Sequence, residues 1–140
     1  MITVKFKKLD STAIPFSYSR KWDACMDMYC LKDTYLIAGQ TYIIPTGIAV
    51  EIPSGYEGLV RGRSGLSSKG LIVSLGTIDE TYRGDVGIIM TNSSSGNHYF
   101  RKGDRLAHFT IKPVSYIRLQ ETLELTDTER NDNGFGSSGI

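Results

Sequence analysis

The sequence predicts an all-β domain, a jelly-roll-like barrel or sandwich, and three observations carry that expectation. Residues of strand character alternate with smaller or polar ones at a period of two. This is clearest over residues 42–52, where Tyr42, Ile44, Thr46, Ile48, Val50 and Ile52 occupy the even positions. Turn-forming clusters recur at short intervals, at Pro53-Ser54-Gly55, Ser93-Ser94-Ser95-Gly96-Asn97 and Lys102-Gly103-Asp104. No stretch carries a helical period over ten residues. Many short strands with regular turns fit a sandwich, jelly roll or barrel better than an α/β layer fold.

In chain order, strands are expected at residues 2–7, 35–37, 42–52, 58–61, 71–75, 86–91, 98–100, 105–111 and 114–120. Pro45 and Gly47 interrupt the third of these, which predicts a bulge or an edge there. The one helical segment is brief, residues 64–69, with Ser64 as N-cap and Gly70 as terminator. Residues 1–128 read as one β-rich domain. Residues 129–140 read as a separate glycine- and serine-rich arm, because one large aromatic, Phe135, cannot bury enough surface to order it.

Size and composition bound the function. A chain of 140 residues has room for one core. A net charge of +1 gives no strong pull toward nucleic acid or a membrane surface. The first residues lack the apolar core of a signal peptide and no run approaches a membrane span, so a cytoplasmic protein is expected. Cys25 and Cys30 are too few for a disulfide framework and are not spaced as a CxxC pair, so both are expected reduced.

The stretch around which the rest is organised is Gly76-Thr77-Ile78-Asp79-Glu80-Thr81-Tyr82-Arg83-Gly84-Asp85. Apolar runs of strand length flank it, Leu71-Ile72-Val73 before and Val86 to Met90 after, which predicts a wide hairpin with functional side chains near its tip. Asp79, three residues from the ring of Tyr82, is taken as the catalytic base. An acid that only forms the turn is the alternative reading of the hairpin alone.

Five blocks stand in order: Ala24-Cys25-Met26-Asp27-Met28-Tyr29, Gly62-Arg63-Ser64-Gly65-Leu66, the Asp79 stretch, Lys102-Gly103-Asp104-Arg105-Leu106-Ala107, and Arg130 with Gly134-Phe135-Gly136-Ser137-Ser138-Gly139. In that order and at those separations they resemble the five motifs of the homotrimeric dUTP pyrophosphatases (dUTPases), over roughly residues 20–140. The resemblance implies a jelly-roll subunit, a homotrimer with active sites at subunit boundaries, and hydrolysis of dUTP to dUMP and pyrophosphate with Mg2+.

Carried over by position, Asp79 activates the water that attacks the α-phosphorus. Tyr82 lies against the deoxyribose and leaves no room for a 2′-hydroxyl. The backbone of Leu75, Gly76 and Ile78 pairs with the uracil edge. Arg63, Ser64 and Gly65 hold phosphates, and a guanidinium, a hydroxyl and free N–H groups suit that task on chemical grounds too. Asp27 holds water on the magnesium ion. In the arm, Phe135 stacks on uracil, Arg130 reaches the γ-phosphate, and Gly136, Ser137 and Ser138 give amides and hydroxyls.

Three positions depart from the family pattern. His108 replaces a phosphate-contacting glutamine and projects away from the face of Ala107, Phe109 and Ile111. Cys25 replaces a glycine, so its backbone is expected to avoid positive φ. Asn131-Asp132-Asn133 replaces the glycine that opens the lid, a bend that asparagine tolerates. Two rivals remain beside hydrolysis: a dCTP deaminase of the same fold, which lacks a candidate acid here, and a dUTP-sensing regulatory module. A purely structural subunit leaves the polar motif residues unexplained.

Overall fold

The computed structural model describes residues 1–134. Eleven strands and one short helix follow in order: β1 (Lys5–Lys8), β2 (Met26–Tyr29), β3 (Thr34–Leu36), β4 (Thr41–Ile44), β5 (Ile48–Glu51), β6 (Tyr56–Gly62), α1 (Ser64–Ser67), β7 (Leu71–Val73), β8 (Gly76–Ile78), β9 (Ile88–Asn92), β10 (His98–Phe100) and β11 (Arg105–Pro113). The largest sheet has the order β2-β11-β6-β8, a second has β4-β9-β7, and two ribbons pair β1 with β5 and β10 with β3. Every named pairing is antiparallel. The fold is all-β, as its sequence predicts.

One core joins the two larger sheets. Met28, Val60, Leu106, Ala107 and Phe109 from the first meet Ile44, Leu71, Val73, Ile88 and Met90 from the second. Apolar burial of this kind is the main stabilising term, at about 25 cal/mol per Å² removed from water. The buried polar groups are matched: the Asn92 side chain donates to Leu36 O at 3.0 Å and Gly96 O at 2.8 Å, and accepts from Ser94.

The expected strand 42–52 divides. Its even positions do face inward, but the chain breaks at Pro45–Gly47 and changes sheets, β4 pairing with β9 and β5 with β1. Pro45 has no N–H to extend a ladder. Gly47 sits at φ +71, with Ala13 and Leu31 so close that a Cβ would collide with them. The wide hairpin is also more divided than its apolar runs suggest. β7 and β9 pair as its arms, whereas β8 leaves them and joins β6 in the other sheet.

Four further expectations change. Residues 114–120 form no strand, and regular structure among the described residues ends at Pro113. The short strand β2 was hidden by the polar Asp27 within it. Helix α1 ends at Ser67, short of residue 69, while Gly70 at φ +82 still supplies the left-handed turn after it. Its N-cap is Arg63 rather than Ser64, with no side-chain cap bond. Positive φ outside glycine occurs only at Trp22 and Asn131 among the described residues, so Cys25 does avoid it and Asn131, at φ +42, does make the bend. No helix among the described residues is long and apolar enough to cross a membrane.

Candidate active site

The predicted site residues fall into two groups at opposite ends of β6. The first lies around the excursion between β8 and β9. Asp79, Tyr82 and Ile78 line one cavity of about 270 Å³ together with Ile43, Thr77, Asp85, Gly87 and Ile89. Its apolar wall comes from Ile43 and Ile89, cross-strand partners on β4 and β9 that stay 77% and 42% exposed. Leu75 and Gly76 are not among its lining residues, Leu75 being exposed and Gly76 packing toward Val60.

Asp79 also borders a second cavity of about 300 Å³ with Tyr56, Glu57, Glu80, Thr81, Val114 and Tyr116. The carboxylate thus stands on a wall between two spaces. Tyr82 N–H donates to Asp79 O at 3.0 Å, closing the turn that brings acid and ring together. The Tyr82 hydroxyl donates to Asp85 O at 3.1 Å. Gly84 lies so close beneath that phenol that any Cβ there would overlap it.

Two carboxylates of the excursion tie it to neighbouring turns. Asp85 Oδ1 accepts from Gly47 N–H at 3.0 Å and Thr46 N–H at 3.2 Å, and lies 2.9 Å from the buried Thr46 hydroxyl. Glu80 accepts from Gly55 N–H at 2.7 Å, from the Tyr116 hydroxyl at 3.2 Å and from the Ser54 hydroxyl at 3.3 Å. Partial desolvation first, then the bond to Glu80, pushes the Tyr116 phenol above its usual value, and the tyrosine is the donor to the carboxylate.

The second group surrounds Asp27, which is 5% exposed. Its Oδ1 lies 3.6 Å from Arg63 Nε and 3.4 Å from His108 Nε2, and its Oδ2 lies 3.3 Å from Arg105 Nη1. Oδ2 also accepts from the Ser19 hydroxyl at 2.5 Å. Arg63 Nη1 donates to Arg105 O at 2.5 Å. Burial alone would push the Asp27 carboxyl up. The Ser19 hydroxyl and the Arg63 and Arg105 guanidiniums outweigh it and hold the group below the ordinary carboxylate value. Ser64 and Gly65 sit exposed beside this cluster.

His108 does point away from buried Ala107 and Phe109, toward Asp27. Asp27, expected to hold water on magnesium, presents Oδ1 to Arg63 and His108 and Oδ2 to Ser19 and Arg105. The hydrogen bonds to the Asp27 carboxylate among the described residues fall on Oδ2, from Ser19 and Arg105, while Oδ1 has Arg63 Nε and His108 Nε2 only at ion-pair distance. No group of three His, Cys, Asp or Glu among the described residues could hold a metal.

The two groups do not meet within one chain. β8 pairs with β6 through Gly58↔Ile78 and Val60↔Gly76, so Asp79 emerges beside Glu57 while Arg63 follows the far end. Six residues of strand at about 3.3 Å each separate those ends by about 20 Å. Arg130 lies in a turn of its own, its Nε donating to Asn133 O at 3.0 Å. Phe135, Gly136, Ser137 and Ser138 lie outside the described residues. Sequence reasoning missed Ile43, Thr77, Asp85, Gly87 and Ile89. Glu80 and Asp85 could have been flagged as carboxylates close to Asp79, but nothing local says which turns they reach.

A family model described as dUTPase matches residues 11–139. A deoxyuridine 5'-triphosphate nucleotidohydrolase of Trichodesmium erythraeum is 41% identical over 139 residues, covering 97% of this chain and 98% of the relative. Among solved structures, the dUTPase of Staphylococcus bacteriophage 80alpha with dUPNHPP matches with TM-score 0.94 at 30% identity, covering 100% of both chains. A mutant dUTPase of phage phi11 of S. aureus, which describes the coordination of a structural Mg(II) ion, matches with TM-score 0.83 at 28% identity, covering 88% of this chain and 98% of that one.

Proposed function

The chain belongs to the dUTPase family and is a dUTP diphosphatase, and from that premise we propose that Asp79 activates the water that attacks the α-phosphorus. The observation that carries the assignment is the shared cavity of Asp79 and Tyr82. A carboxylate with a reference pKa of about 4 is an anion at pH 7 but a weak base, so its placement must supply much of the effect. The ring of Tyr82, stacked over the backbone at Gly84, forms a flat wall against the sugar and rejects a 2′-hydroxyl by bulk. Backbone groups near Ile78 pair with uracil, their fixed donor and acceptor order excluding cytosine.

The site is completed by another copy of the chain. Arg63, Ser64, Gly65 and His108 gather about 20 Å from Asp79 in the same subunit, too far to serve one nucleotide. The exposed Ile43 and Ile89 beside the Asp79 cavity supply an apolar face for such a neighbour. In a homotrimer, the Arg63 group of one subunit then holds the phosphates while Asp79 of the next reacts. The arm 129–140, with Arg130, Phe135, Gly136, Ser137 and Ser138, closes over the assembled site and excludes bulk water.

Magnesium, in this reading, arrives on the triphosphate, whose oxygens it prefers as ligands. The deaminase and sensor readings have no such support along the chain. The test is pyrophosphate release from dUTP by wild type and Asp79→Asn. A loss of at least about a hundredfold is expected, with the thermal midpoint nearly unchanged because Asp79 is exposed. An undiminished rate removes Asp79 from the reaction.

A further inference from the structure

We propose that Glu80 is the positioning residue for Asp79, its carboxylate clamping the catalytic turn to the β5–β6 turn and to the segment after β11. The proposal rests on the assignment of Asp79 above and adds what holds that side chain in place.

The ladder between β8 and β6 ends at Ile78, and no strand pairing resumes until β9 at Ile88. Across the nine residues between, backbone bonds to the rest of the fold are confined to the far end, where Val86 N–H donates to Ile48 O at 2.8 Å. The Tyr82–Asp79 bond and the bonds from Arg83 Nη1 to Glu80 O at 2.6 Å and Tyr82 O at 2.9 Å are internal to the excursion. They shape the turn without fixing where it points. Asp85 anchors the Tyr82 side, through Thr46 and Gly47.

On the Asp79 side, the anchor is the Glu80 carboxylate. It meets Gly55 N–H at 2.7 Å, Tyr116 Oη at 3.2 Å and Ser54 Oγ at 3.3 Å, groups from two separate parts of the chain. Glu80 lines the cavity that Asp79 shares with Tyr116, and it is absent from the cavity that holds Tyr82. It therefore grips the turn from behind, one residue from the acid, and leaves the reacting face free. A shift of about 1 Å in a reacting group can cost about a hundredfold in rate. A single residue of lever arm makes Asp79 sensitive to this grip.

The experiment is steady-state pyrophosphate release from dUTP by wild type, Asp79→Asn, Glu80→Ala, Glu80→Gln and Tyr116→Phe. Glu80→Ala is expected to lower kcat about tenfold or more with KM within about twofold. Glu80→Gln restores most of that loss, since its carbonyl still accepts from Gly55 N–H and its amide can still meet the Ser54 hydroxyl. Tyr116→Phe removes one donor from an exposed segment without touching the core, and lowers kcat about threefold. An unchanged kcat in Glu80→Ala, a loss that sits in KM, or Glu80→Gln failing as badly as Glu80→Ala overturns the clamp. If Glu80→Ala does not fold, an unchanged kcat in Tyr116→Phe overturns it. An inactive wild type or a fully active Asp79→Asn strikes the underlying assignment instead, so the two failures are told apart.

Discussion

The Asp79 turn and the Asp27 cluster are the two polar ends of one strand, and they are built on opposite plans. At one end carboxylates outnumber cations, with Asp79, Glu80 and Asp85 against Arg83. Among the described residues the Asp79 side chain has no bonded partner and stands on a cavity wall, while Glu80 and Asp85 are used as anchors. At the other end one buried acid is surrounded by Arg63, Arg105 and His108. A water-activating group needs an unengaged oxygen, and a phosphate site needs cations already held in place. A strand about 20 Å long keeps these charges from neutralising each other inside one subunit. In the homotrimer proposed above, the end of one chain against the opposite end of another would assemble the site.

The sharpest way to break this contrast is to put its halves on different chains. Asp79→Asn and Arg63→Ala proteins, each inactive alone, are refolded together. If the halves work in trans, random mixing gives both intact halves in about a quarter of the sites of a symmetric trimer, with a matching return of pyrophosphate release. No recovery would place the whole site in one subunit. A smaller effect is expected at Gly84. Gly84→Ala pushes the Tyr82 ring aside, so discrimination between dUTP and UTP falls about tenfold while the Asp27 cluster is untouched. Unaltered discrimination would show that the ring position does not set sugar choice.

The smallest effect concerns the other end. Asp27→Asn removes the charge that the Arg63 and Arg105 guanidiniums face, and lowers stability at pH 7 by about 1 kcal/mol, allowing for the solvent that reaches them. The sign of its pH dependence follows from the lowered carboxyl. A group whose folded value lies below its unfolded one contributes above the unfolded value, about 3.9, and loses that contribution as pH falls through the folded value. The difference between the urea midpoints of wild type and Asp27→Asn therefore shrinks as pH falls below about 4 and the Asp27 carboxyl is protonated. A difference that persists at pH 2 would mean that the pairing contributes through shape alone.

Much of this was legible locally. The alternation over 42–52 named the inward face correctly even though the strand breaks, because side-chain direction depends on backbone period and Pro45 only ends the ladder. The motif spacing located Asp79, Tyr82, Arg63 and His108. By contrast, β2 and β8 were overlooked: Asp27 and Thr77 weaken the apolar signal of strands only three or four residues long. The expected strand at 114–120 failed for the opposite reason. Its apolar residues Tyr116, Ile117 and Leu119 find no partner strand within the subunit and stay 74%, 80% and 88% exposed.

From residue order alone came the all-β class, the family, and the acid and ring now proposed for catalysis, since periodicity and motif spacing are properties of neighbouring positions. Only the folded chain decided that Asp27 is buried among cations, that Glu80 and Asp85 reach turns 25 and 38 residues away, and that Arg63 lies at the far end of β6 from Asp79. Those facts depend on strand pairing between distant segments, and pairing is set by how the sheets share one core.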